Sequence, residues 1–115
     1  YHSFTDGWYL TLPNGWDINN ITVSRDDSLS GRGERAVAFY YWPDRSKEPK
    51  RFLTIYRLTG SNQVSRSKQP GRAVVYSDGN TIYCATLDTK AWNCGMDETG
   101  LFQRFKPIMA VWSNR

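Results

Sequence analysis

The chain has 115 residues, a formal net charge of +4, 39% apolar residues and 15% aromatic ones. That length supports one hydrophobic core, and the large rings supply burial that a short aliphatic inventory does not, so disorder is excluded and residues 1–115 are read as a single domain. No run approaches the ~20 apolar residues of a membrane-spanning helix, and no leader is recognised ahead of Tyr1, as expected of a mature product or an excised domain.

Residues 8–12 alternate as in a half-buried strand. Pro13 ends it, having no N–H for a ladder, and Asn14-Gly15 turns the chain ahead of Trp16. Residues 21–24 read as a second strand and the polar stretch 25–34 as a loop. Residues 35–42 form a strong strand, with Val37, Phe39 and Tyr41 on one face and Ala36, Ala38, Tyr40 and Trp42 on the other. Apolar groups on both faces predict an internal strand covered on both sides. A charged connection, 43–49, leads to a strand over 51–58. The polar loop 59–71 that follows has a length common in functional loops.

Asp78-Gly79 between two alternating runs predicts a hairpin. A two-residue turn there pairs Tyr76 with Thr81, Val75 with Ile82, Val74 with Tyr83 and Ala73 with Cys84, and sets Cys84 on the face of Val75 and Ile82. Residues 88–96 are irregular. Asp97 is placed to cap a helix over 98–112, striped by Leu101, Phe105, Ile108 and Trp112 and flanked by Phe102 and Met109. Pro107 predicts a kink or break near Lys106. The expected class is α+β: an antiparallel sheet of about five or six strands with a C-terminal amphipathic helix packed on one face.

The opening Leu10-Thr11-Leu12-Pro13-Asn14-Gly15-Trp16, the wide strand, the Phe52–Leu58 strand, a hairpin ending Thr81-Ile82-Tyr83-Cys84-Ala85 and the closing segment 101–112 together carry a resemblance. The chain resembles a broad group of secreted or lipid-anchored bacterial domains with an LxLPxxW-type opening, whose architecture is similar to that of the photosystem protein PsbP. The resemblance implies an extracytoplasmic accessory or binding domain with a terminal helix on an antiparallel sheet. It carries over no catalytic residue, because the group shares none.

Cys84 and Cys94 are the only cysteines, spaced too widely for a CxxC motif and too few for a structural zinc site. Either they are bridged, which would stabilise by roughly 2–3 kcal/mol in an oxidising compartment, or they are buried reduced thiols acting as small hydrophobes. The bridge is the expectation. His2, the one histidine, stands at the terminus, which leaves no triad and no multi-histidine metal site. Asp26-Asp27 and Asp97-Glu98 are adjacent pairs rather than carboxylates facing across a cleft, and no spaced calcium-ligand loop follows Asp26. Gly31-Arg32-Gly33 lacks the ending of a phosphate loop, and Asn20-Ile21-Thr22 is a formal glycosylation triplet. No catalytic residue, cofactor site or metal ligand is assigned.

Arg45, Lys47, Lys50, Arg51 and Arg57, then Arg66, Lys68 and Arg72, concentrate positive charge in the middle of the chain. They form either a solvated face or an attraction for a polyanion. Tyr40 and Trp42 share a strand face near Arg45 and Arg51, a mixture suited to sugars or bases if the rings face solvent and to core filling if they do not. The candidate ligand surface is Tyr40, Trp42, Arg45 and Arg51 with the 59–71 loop. The expected function is non-enzymatic: an extracytoplasmic binding, sensing or accessory domain of a bacterial envelope or secreted protein, its partner a protein or a polyanionic or glycan ligand. The alternative is a small basic enzyme or binding module acting on nucleic acid or glycan.

Overall fold

The computed structural model describes residues 1–108, which form eight strands in two antiparallel sheets. The elements are β1 (His2–Ser3), β2 (Trp8–Leu10), β3 (Ile21–Asp26), β4 (Glu34–Tyr41), β5 (Lys50–Thr59), α1 (Gln63–Ser67), β6 (Ala73–Ser77), β7 (Thr81–Leu87), α2 (Glu98–Arg104) and β8 (Phe105–Pro107). The larger sheet runs β3-β4-β5-β7-β6 and the smaller β1-β2-β8.

The main core lies on one face of the larger sheet. Val37, Phe39, Leu53, Ile55 and Ala85 meet Trp8 and Leu10 of β2, Leu101 of α2 and Phe105 of β8. Complete burial of a Leu or Phe side chain contributes roughly 1.5–3 kcal/mol, so β2 is fastened by its two inward side chains more than by its short ladder. Aromatic contacts extend the core: Tyr41 stacks on Trp92 at 4.3 Å, and Trp16 meets Phe52 edge-on at 5.2 Å. The Trp16 indole N–H donates to the Cys94 carbonyl. The opposite face carries a small cluster of Leu58, Ile82 and Cys84 with Tyr56 against it.

Two bulges set the phase of the inner strands. In β5, Phe39 pairs with Leu53 and Tyr40 with Arg51, so Phe52 is the extra residue and joins Leu53 in the core. In β6, Val74 pairs with Cys84 and Tyr76 with Tyr83, leaving Val75 as the extra residue in the main core. Cys84 therefore shares a face with Ile82 but not with Val75. The hairpin turn also differs from the sequence expectation. Gly79, at φ +88°, and Asn80 are its central residues, closed by Asp78 N–H donating to the Thr81 carbonyl. A turn with positive φ only at its first central position takes Gly there. The Asp78 carboxylate then accepts from the Asn80 and Thr81 N–H groups.

The C-terminal segment corrects the single long helix over 98–112. Asp97 caps as expected, accepting from the Gly100 N–H, but the helix ends at Arg104. A residue before proline is pushed out of the helical region. Phe105–Pro107 accordingly extends and pairs with Trp8–Leu10 at the edge of the smaller sheet, where a strand proline is tolerated. Leu101 and Phe105 are both buried, Phe105 from a strand rather than a helical stripe. Met109 and Trp112 lie outside the described residues. The N-terminus is also structured: His2 lies in β1 and stacks on Phe4 and Tyr9.

The chain enters β4 through Gly33, at φ +82°, whose carbonyl accepts from the Thr59 N–H. A Cβ at Gly33 would stand 2.1 Å from the Thr59 carbonyl oxygen. Gly33→Ala is expected to destabilise the fold by about 3 kcal/mol, because it combines a left-handed backbone with a backbone clash. Urea unfolding checks this, and an unchanged midpoint would contradict the close approach.

Candidate ligand-binding face

The β4 face that points away from the main core carries Ala36, Ala38 and Tyr40, and across the ladder it meets Thr22 and Ser24 of β3 and Thr54 and Tyr56 of β5. Tyr40 has Thr22 on one side and Arg51 on the other as its register partners. The Trp42 indole N–H donates to Thr22 Oγ1 at 2.9 Å, which holds Trp42 on this same face. Arg45 lies over the Trp42 ring at 5.0 Å and donates to the Asn19 carbonyl. The structure thus brings Tyr40, Trp42, Arg45 and Arg51 together in one strip, floored by small side chains. Strict alternation along β5 would have put Arg51 with Leu53 and Ile55, on the core side. The Phe52 bulge returns it to the outer face.

At the Arg51 end the strip opens into a cleft of about 380 Å³, lined by Arg51, Thr54, Tyr56, Gln69, Arg72 and Thr86 among others. Gln69 comes from the 59–71 loop, which holds the short helix α1 rather than irregular chain. Thr54 is buried, and its hydroxyl has no hydrogen-bond partner.

The loop is fastened by a buried carboxylate. Glu34 Oε1 accepts from Arg72 Nη1 at 2.9 Å and from Arg66 Nη1 at 3.3 Å. Arg72 also donates to the Arg66 carbonyl and lies over the Tyr56 ring at 3.8 Å. Burial alone would lower the Arg72 pKa, but the hydrogen bond and charge of Glu34 outweigh it and hold the guanidinium above its ordinary value. The positive charge at the cleft wall is therefore permanent. Sequence reasoning missed Glu34, Thr54 and Thr86, and had Arg72 only as one of a run of basic residues. Glu34 fell in a stretch read as loop, although it directly precedes the apolar alternation of β4.

No family model, curated protein or solved structure matches this chain. What the face can hold follows from its own side chains: guanidinium groups, hydroxyls and half-buried rings on a shallow floor.

The cysteines correct the expected bridge. Both are free and buried, Cys84 in the small cluster on the α1 side of the sheet and Cys94 in the main core on the other side. Cys84 projects to one face of β7 while Cys94 packs against the other, so the sheet separates the two thiols. Cys94 Sγ instead donates to the Met96 carbonyl. Burial pushes the Cys84 thiol from 9.0 up to about 11 and raises Cys94 in the same direction. Buried neutral thiols are poor nucleophiles.

Two expectations follow from this packing. The neutral Cys84 thiol is favoured in the folded chain, so its contribution is complete below pH 9 and is lost as pH rises toward about 11. Stability should fall across that window, and Cys84→Ala should make the fall shallower in urea titrations at successive pH values. A thiol reagent at neutral pH should find two reactive groups after unfolding and neither in the native chain. Separately, Glu34→Ala leaves two guanidinium groups facing each other without their carboxylate. It should cost about 3 kcal/mol or more, the scale for breaking a buried pair, read from the same unfolding measurement.

Proposed function

We propose that this chain is a non-enzymatic binding domain that holds an elongated acidic glycan along the outer face of β3, β4 and β5. The observation that carries the reading is the return of Arg51 to that face, where it continues the Arg45–Trp42–Tyr40 strip into the Arg72 cleft. Arg45 already occupies a face of the Trp42 ring. This favours recognition by charge and hydroxyl bonding over a run of bases stacked on open rings. The carboxylates beside the face are committed to structure, which favours binding over acid–base chemistry. Glu34 holds two arginines, and Asp88 Oδ1 accepts from the Lys90 and Ala91 N–H groups.

The setting we propose is an extracytoplasmic accessory or sensing domain of a bacterial envelope or secreted protein. It is supported by the likeness of the Leu10–Trp16 opening to that of the LxLPxxW-type group. The free thiols no longer contribute to it.

The test is a salt series of binding isotherms with polygalacturonate and, in parallel, a single-stranded oligothymidylate. Three arginines displacing counterions at about 0.7 each predict a log–log slope of roughly −2. Arg51→Ala should weaken polygalacturonate binding and reduce the slope by about 0.7. Tighter binding of the oligothymidylate would turn the reading toward nucleic acid, and binding of neither would overturn it.

A further inference from the structure

A second constellation lies on the core-side face of the larger sheet, where the turn after β1 covers its end. Arg35 and Arg57 are register partners on β4 and β5, and Tyr83 of β7 continues the row. Like charges directly opposite one another destabilise a ladder unless something neutralises them. Asp6, buried in the turn, does so for one side only. Its Oδ1 is 3.0 Å from Arg35 Nε and 3.9 Å from Arg25 Nη2. Among the described residues no carboxylate pairs with Arg57, and its Nε is buried without a hydrogen-bond partner.

Arg57 borders a cavity of about 390 Å³ between the turn and the β6–β7 hairpin, lined also by Phe4, Asp6, Tyr76, Asp78 and Tyr83. Elsewhere on its fork Arg57 reaches the Tyr83 hydroxyl, which leaves Nε unmet, and the other polar groups nearby have their own work. The Tyr83 hydroxyl donates to the Asp6 carbonyl at 2.6 Å, and Asp78 Oδ1 closes the hairpin turn. Phe4, 78% exposed, offers a ring at the rim. An unsatisfied buried N–H, a like-charge pair and an adjoining cavity all ask for the same group. An oxyanion would accept from the Arg57 fork and neutralise the pair.

We propose that this cavity is a binding site for the carboxylate or phosphate of a small ligand, seated on Arg57 with its apolar part against Phe4 and Tyr76. The site is on the opposite side of the sheet from the glycan-binding face and does not depend on it. The test compares thermal midpoints in sodium chloride, sodium phosphate and sodium benzoate at equal ionic strength for the unaltered chain, Arg57→Met and Arg51→Ala. Phosphate stabilises folded proteins generally, so the response that counts is the difference from Arg57→Met.

The unaltered chain and Arg51→Ala should both gain roughly 5 °C over that variant's response with anion at about ten times its dissociation constant. A response to phosphate alone assigns a phosphate ligand, and a larger one to benzoate assigns an aromatic carboxylate. In chloride, Arg57→Met should melt about 1–3 °C higher, because it relieves the like-charge pair. Equal anion responses in the unaltered chain and Arg57→Met, or a lower chloride midpoint for Arg57→Met, would overturn the proposal. If Arg57→Met does not fold, Arg57→Lys decides by calorimetric titration. It keeps the charge without the fork and should bind about tenfold more weakly, and unchanged affinity would overturn the site.

Discussion

Glu34 is the side chain on which the outer half of this molecule depends. A carboxylate this buried is tolerated only with strong partners, and here it has two guanidinium groups. Both come from the segment after β5, so the pair closes a long polar stretch onto the sheet. Once Arg72 is held there, its planar group covers Tyr56 and walls the cleft, and the loop end carrying Gln69 completes it. Burial keeps the neighbouring Cys84 thiol neutral, against the pull of the Arg72 guanidinium. One ion-paired carboxylate thus connects loop position and cleft shape.

The two faces of the larger sheet answer different needs. The inner face is covered by a second small sheet, a short helix and an aromatic cluster, which gives the chain one continuous core. The outer face is covered at one end by α1 and left shallow at the other. An antiparallel sheet can leave one face wet, and here the wet part carries small residues with arginines and rings at its margins. The arginine row at the end of the inner face is the exception to good coverage. It places two like charges opposite each other, where a core would otherwise continue.

Local chemistry made much of this legible. Pro13 and Asn14-Gly15 mark the turn that follows β2. The alternation over 35–42 assigns Val37, Phe39 and Tyr41 to one side and Ala36, Ala38 and Tyr40 to the other, as found. Asp97 announces its helix. The turn at 78–81 was recognisable, but its central pair was displaced by one residue, because Asp78 spends its side chain on the turn and leaves positive φ to Gly79. Pro107 was read as a kink within a helix. The extended chain around it found a ladder partner in β2, about a hundred residues away, which no local pattern records.

What the sequence by itself determined is the antiparallel, aromatic-rich character of the domain, its turn positions and the two sides of its strongest strand. Those features depend on side-chain alternation and backbone stereochemistry within a few residues. Only the tertiary structure decided which residues share the outer face, because a bulge at Phe52 reverses the phase of everything before it and moves Arg51 across the sheet. It also decided that Cys84 and Cys94 stay apart and that Glu34 gathers Arg66 and Arg72. Bulges and buried ion pairs are settled by the partner strand and by the loss of water, and neither is present in a chain read one residue at a time.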